Sequence, residues 1–182
     1  MNQNKNYINY YKDLFSDKLI EKANKIKLLA FDIDGVLTDG GLYIDQDGNE
    51  SKRFYAQDGH GIKILQSIGI DIMIISGRTS KCVSKRGQEL GIKRIIQGSR
   101  DKLKSFHDQK IQMTPEEICF AGDDTVDIEL LQYVGLSVIV PNSNSILTKL
   151  EFDWITPREG GCGAIRDVCD LIYYSKMISE KS

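Results

Sequence analysis

The chain has 182 residues, 41% of them hydrophobic and 27% charged, and a net charge of -2 at neutral pH. That length suits one domain with one core, and a pI near 5.7 excludes a general nucleic-acid binder, which would carry a basic face. No apolar run approaches the roughly 20 residues that span a bilayer, and residues 1–12 lack a signal-peptide core, so a cytoplasmic protein with no membrane partner is expected.

In chain order, residues 8–23 show helical spacing at Leu14, Phe15, Leu19, Ile20 and Ala23, which predicts a helix laid on a sheet. Strand-like apolar runs follow at 27–31, 70–75, 94–97, 118–121, 136–140 and 153–155. Between them the period turns helical, as in Ile62, Leu65 and Ile68 or in Val126, Leu130, Leu131 and Val134. This alternation predicts an α/β fold, a Rossmann-like parallel sheet with helices on both faces. One section breaks it. Residues 41–56 read as a β-hairpin with Asp47-Gly48 at the turn. Leu42, Tyr43, Ile44, Phe54 and Tyr55 give that ribbon more apolar surface than it can hide alone, so it is expected to pack against another subunit.

Asp58-Gly59-His60-Gly61 reads as a connector to a helix headed by Ile62. Thr114-Pro115-Glu116-Glu117 carries the signals of a short helix start. Residues 157–163, rich in glycine, read as a mobile tail with a possible lid role before a last helix ending near 178. Cys82, Cys119, Cys162 and Cys169 show no C-x-x-C spacing and stand far from His60 and His107, which predicts free thiols and no zinc.

Four groups carry chemistry. Asp32 and Asp34 follow the apolar run 28–31, at the end of the first strand, where open α/β sheets bind ligands. One carboxylate there can attack while the other handles a proton. Ser76-Gly77-Arg78 ends the second strand and is expected to open a helix, which would make it an anion cradle. Lys102 lies in the first turn of a helix led by Ser99, an unfavourable place for a cation unless it faces an anion. Asp123 and Asp124 follow the fourth strand, with Asp127 one turn on; acids at this density suit Mg²⁺, a hard cation that takes one or two carboxylates plus water. Together these parts fit a phosphoryl-transfer site, in which a nucleophile, a divalent metal and cationic donors surround the transferred oxygens. An inactive oligomeric binding module is the alternative from another class. The clustered charges have no physical use there.

The set Asp32-Ile33-Asp34-Gly35-Val36, Ser76, Lys102 and Gly122-Asp123-Asp124-Thr125-Val126-Asp127 resembles the haloacid dehalogenase superfamily of phosphatases. Within it, residues 22–175 are most similar to the 3-deoxy-D-manno-octulosonate 8-phosphate phosphatase family. That second likeness also runs through Gln57-Asp58-Gly59-His60-Gly61-Ile62 and Gly160-Gly161-Cys162-Gly163-Ala164-Ile165-Arg166.

The resemblance implies that Asp32 is the nucleophile, Asp34 the acid and base, and that Ser76 and Lys102 steady the phosphoryl group. It implies Mg²⁺ on Asp32, the main-chain carbonyl of Asp34, and Asp123, with Asp124 and Asp127 in support. Sugar contacts are implied at Tyr55, Ala56, Gln57, Asp58 and Gly59 and at Lys63, Arg78 and Arg86. A phosphorylated sugar acid is the implied substrate, with an acylneuraminate 9-phosphate as the alternative. Only 43 residues lie between Asp32 and Ser76 and 20 between Lys102 and Asp123, so neither gap holds a cap domain. Similar capless enzymes are covered by forming a homotetramer, whose tails reach a neighbour's site. Two positions depart from the family: Gln57 and Cys162 stand where relatives often carry arginine.

Overall fold

The computed structural model describes residues 11 and 14–179. Helix α1 (Asp17–Lys25) leads into strand β1 (Leu28–Phe31), and a wide turn over Ile33–Leu37 follows. A short hairpin, β2 (Tyr43–Ile44) with β3 (Glu50–Ser51), precedes helix α2 (Ala56–Ser67). The chain then alternates: β4 (Asp71–Ile75), α3 (Lys81–Leu90), β5 (Arg94–Ile96), α4 (Lys102–His107), β6 (Ile118–Gly122), α5 (Ile128–Tyr133), β7 (Leu136–Ile139), β8 (Trp154–Ile155) and α6 (Ala164–Ser179). The six long-range strands form one sheet in the order β5-β4-β1-β6-β7-β8, every pair parallel.

The reason lies in the apolar pattern. Every residue of β1 is buried, as a central strand covered on both faces requires. Because successive side chains point to opposite faces, Leu29 and Phe31 join one core with Ile62, Leu65, Ile165 and Ile172, while Leu28 and Ala30 join another with Phe106, Phe120, Leu130 and Leu131. Each fully buried Leu or Ile contributes roughly 1.5–3 kcal/mol. After β1 the chain builds outward on one side through β4 and β5, then returns to the other side through β6, β7 and β8. The order reverses beside β1. Beside such a reversal the carboxyl ends of β1 and β6 define the crevice in which sheets of this kind bind ligands.

The structure moves several sequence-based boundaries. The helix expected over 8–23 lies partly outside the described residues. Within them, Leu14 and Phe15 form a turn, Ser16 caps α1 by accepting from Leu19 N at 3.3 Å, and the helix runs on to Lys25. Helix α2 starts at Ala56 rather than Ile62, so Gln57 to Gly61 are helical and not a connector. Its glycines serve packing: a Cβ at Gly59 would lie 2.3 Å from the Arg86 guanidinium, and one at Gly61 would lie 2.9 Å from Cys169 Cβ on α6. Helix α3 opens at Lys81, three residues after Arg78, and α4 is capped by Asp101, whose side chain accepts from Lys104 N at 2.8 Å, not by Ser99.

The hairpin ladder is short, pairing Tyr43 with Ser51 and Ile44 with Glu50. Leu42, Tyr43 and Ile44 are exposed as expected. Phe54 instead packs on the chain's own core and lies under the Arg86 guanidinium, 5.8 Å from its ring centre. The segment 157–163 is no free tail. Gly160 N donates to Asn142 Oδ1 at 2.8 Å and Gly161 N to Val36 O at 3.1 Å, and a Cβ at Gly160 would sit 1.7 Å from Gly35 O. It is a strap seated against the turn that follows β1. The four cysteines are free, with Cys119 and Cys169 buried.

Candidate active site

Strand β1 delivers Asp32 into the crevice, and the turn after it reverses the chain. Thr38 N reaches back to Ile33 O at 2.9 Å, and Gly35 takes φ +90°, a value that glycine alone adopts freely. A side chain at Gly35 would also collide with Asp123, whose Oδ2 lies 2.0 Å from the ideal Cβ position. Gly35 therefore lets the acidic segment after β6 close on the one after β1.

Asp32 is buried. Its Oδ1 accepts from Ile33 N at 2.6 Å and its Oδ2 pairs with Lys102 Nζ at 2.8 Å. Lys102 has no exposed side-chain surface and also binds Asp127 Oδ1 at 2.5 Å. Asp127 turns its other oxygen to Asp123 N at 3.0 Å and Asp124 N at 3.1 Å. This explains a lysine at the start of α4: it serves the two carboxylates. Asp124 does a different job, capping the turn Thr125–Asp127 through Thr125 N at 2.7 Å and accepting from Asn144 Nδ2 at 3.0 Å.

Carboxylate oxygens of Asp32, Asp123 and Asp127 lie within 4.8 Å of one another. Burial, opposed by Lys102 and reinforced by Asp127, pushes the Asp32 carboxyl up to about 6. Burial, then Asp32 and Asp127, push Asp123 up to about 8. Burial works against the charge on Lys102, but Asp32 and Asp127 outweigh it and hold the ammonium above its ordinary value. Asp123 Oδ1 is buried without a hydrogen-bond partner among the described residues. A buried carboxylate oxygen with no hydrogen-bond partner, beside a second carboxylate, is a hard-oxygen donor site, and the residues fit Mg²⁺.

Asp34 has partners different from those of Asp32. Strand geometry ends at Phe31 and Asp34 lies in the turn that follows, where its carboxylate meets a separate pair of cations. Lys52 Nζ binds its Oδ1, and Arg78 Nε stands 3.7 Å from its Oδ2. Sequence reasoning missed Lys52, because one lysine at the foot of a surface hairpin reads as a solvated side chain. It missed Asn142 and Asn144 too. Asn142 Nδ2 donates to Gly35 O at 3.0 Å, and Asn144 N donates to Asp123 O at 2.8 Å, so the loop after β7 fastens both acidic segments. The Pro-Asn-Ser-Asn run was its signal.

Ser76 is buried in the loop after β4, with Oγ accepting from Arg78 N at 3.3 Å. The other expected sugar contacts have partners elsewhere. Lys63 Nζ donates to Leu90 O at 2.7 Å, closing the end of α3, and Arg86 pairs with Glu89 at 2.9 Å. Gln57 Oε1 accepts from Arg158 Nη1 at 3.0 Å. Asp58 caps α6 by accepting from Arg166 N at 2.7 Å; burial, opposed by that bond, pushes it up to about 6. Tyr55 precedes α2 as its cap residue, and Ala56 is its first residue. Ala56 and Gln57 also border a cavity of about 780 Å³ shared with Phe15, Trp154 and Arg158, which does not include Asp32, Asp34, Asp123 or Lys102.

No protein-family model matches the chain. Individual proteins do. The 3-deoxy-D-manno-octulosonate 8-phosphate phosphatase KdsC of Yersinia pestis is 40% identical over 159 residues, covering 86% of this chain and 84% of that protein. A solved HAD superfamily (subfamily III A) hydrolase of Legionella pneumophila superposes with a TM-score of 0.86 at 41% identity, covering 90% of this chain and 91% of the other. The 3-deoxy-D-manno-octulosonate 8-phosphate phosphatase of Moraxella catarrhalis, solved with a magnesium ion, a phosphate ion and a KDO molecule, gives 0.85 at 36% identity, covering 92% of this chain and all (100%) of that one.

Proposed function

Because the chain belongs to the 3-deoxy-D-manno-octulosonate 8-phosphate phosphatase family of the haloacid dehalogenase superfamily, we propose that the crevice between β1 and β6 performs that hydrolysis with Asp32 as its nucleophile. The enzyme is a Mg²⁺-dependent phosphoric monoester hydrolase. It releases phosphate from 3-deoxy-D-manno-octulosonate 8-phosphate, a step of lipopolysaccharide biosynthesis. The observation that carries the site assignment is the buried Asp32–Lys102–Asp127 chain beside the orphaned oxygen of Asp123.

Asp32 attacks phosphorus in line with the sugar oxygen, and the P–O bond to the sugar breaks as Asp34 gives that oxygen its proton. Water then attacks the aspartyl-phosphate, and Asp34 takes the water's proton back. Lys102 meets the phosphoryl oxygens while Asp127 holds its ammonium in place, and Ser76 adds a hydroxyl from the loop after β4. Magnesium held by Asp32, the Asp34 carbonyl and Asp123 would offset the charge of the phosphate. Arg78, beside Asp34, stands on the sugar side. Tyr55, Ala56, Gln57, Asp58, Gly59, Lys63 and Arg86 complete the sugar face in this reading, some of them after exchanging their present partners.

The assembly is a homotetramer in this reading. Exposed Leu42, Tyr43 and Ile44 on the hairpin support it, as does a site with no cap of its own. Free cysteines support a reducing, cytoplasmic setting, and no described helix is long and apolar enough to cross a membrane. A phosphate-release screen over sugar-acid phosphates with Mg²⁺ tests the function. Turnover should be greatest on the eight-carbon acid and stop reversibly with EDTA; equal rates on generic esters, or turnover in EDTA, would contradict it.

A further inference from the structure

The side chain of Lys52 is buried at the foot of the hairpin while its main chain is partly exposed, and none of the roles above uses it. Its side chain is 1% exposed, and its ammonium binds Asp34 Oδ1 and, at 3.3 Å, Glu50 Oε1. A lysine on a short surface ribbon can ordinarily keep its charge in water. Withdrawing an ammonium costs several kcal/mol unless well-placed carboxylates offset it, so this burial is specific to the two acids it meets. The surroundings hold the arrangement. Glu50 also binds Arg78 Nη2 at 3.0 Å, and its main-chain carbonyl accepts from Cys82 Sγ at 3.3 Å, which pins the end of β3 to the first turn of α3. Arg78 cannot do the same work for Asp34. Its Nε is 3.7 Å from Oδ2, beyond a hydrogen bond, and half of its side chain is exposed (50%).

We infer that Lys52 is a positioning residue for Asp34, tying one carboxylate oxygen so that the other faces the oxygen of the departing sugar. The inference rests on the assignment of Asp34 as acid and base. It makes the hairpin part of the reaction rather than a docking surface alone: the ribbon that exposes Leu42, Tyr43 and Ile44 also carries the side chain that aims the proton donor.

The test is leaving-group dependence. A sugar alkoxide is a poor leaving group and needs the proton; p-nitrophenolate is a good one and does not. With Mg²⁺ present, kcat/KM of Lys52→Met should fall by about 10- to 100-fold on the sugar phosphate, a share of what a general acid supplies, while staying within about threefold on p-nitrophenyl phosphate. Both esters are measured on one preparation, so partial unfolding cancels in the ratio. Should Lys52→Met fail to fold, Lys52→Gln, which keeps a donor, should move the ratio in the same direction by less. An unchanged ratio in the folded variant would overturn the inference. Asp34→Asn separates the two levels: it should show the same split more strongly, and if it shows none, the acid-base assignment itself fails.

Discussion

The two ends of the crevice are built differently. At the phosphoryl end, Asp32, Lys102, Asp127 and Asp123 are held by strands of the central sheet and by one another, and Lys102 has no exposed side-chain surface at all (0%). At the proposed sugar end, Asp34 is held by Lys52 of a hairpin of two residue pairs, and three expected sugar contacts are engaged elsewhere: Lys63 with Leu90 O, Arg86 with Glu89, Gln57 with Arg158. On the proposed assignment, the groups that would move a phosphoryl group are already gathered, whereas those that would choose the sugar are not. In the proposed reading, chemistry resides in the central sheet and selection in the loops and hairpin around it.

The sharpest way to break this comparison is at Lys102. Lys102→Met would leave Asp32 and Asp127 as buried carboxylates without their cation, and removing one partner of such a pair costs about 3–5 kcal/mol. Loss of both activity and several degrees of thermal midpoint is expected, read by calorimetry beside phosphate release. A full-strength fold with full activity would mean that the phosphoryl end is not the self-supporting unit described.

A smaller effect concerns the metal. Asp123, pushed up to about 8, is largely protonated at pH 7 without a cation, and Mg²⁺ needs the carboxylate. Its raised value means that folding keeps the proton on until the pH passes that value or a cation displaces it. Mg²⁺ affinity should therefore fall by about fivefold from pH 8 to 7 and by about tenfold from pH 7 to 6, with a proton released on binding. Calorimetry in two buffers of different ionisation enthalpy reads both; a pH-independent affinity would show that the orphaned oxygen of Asp123 is not the metal's.

How much of this was legible in the sequence follows the same division. The parallel sheet announced itself through continuous apolar runs such as 28–31, and the acids after β1 and β6 stood out because carboxylates crowd at the ends of two strands, more than capping a helix needs. Lys102 was readable from its misfit with the dipole of its helix. The start of α2 was not, because Gly59 and Gly61 look like turn residues until α3 and α6 are seen to press against them. Nor was the strap at 157–163, whose glycines permit contact with the turn after β1 rather than motion. Lys52, Asn142 and Asn144 were hidden for a related reason: each is an ordinary polar residue in a loop or ribbon, and only tertiary folding brings it to Asp34, Gly35 and Asp123.

The most direct test of the central claim is to catch the phosphoryl group on the protein. After acid quench during turnover with Mg²⁺ and the sugar-acid phosphate, peptide mass mapping should place one added phosphoryl group on Asp32 and none in an Asp32→Asn chain that is folded but inactive. A phosphoryl group found elsewhere, or undiminished turnover by Asp32→Asn, would contradict the account.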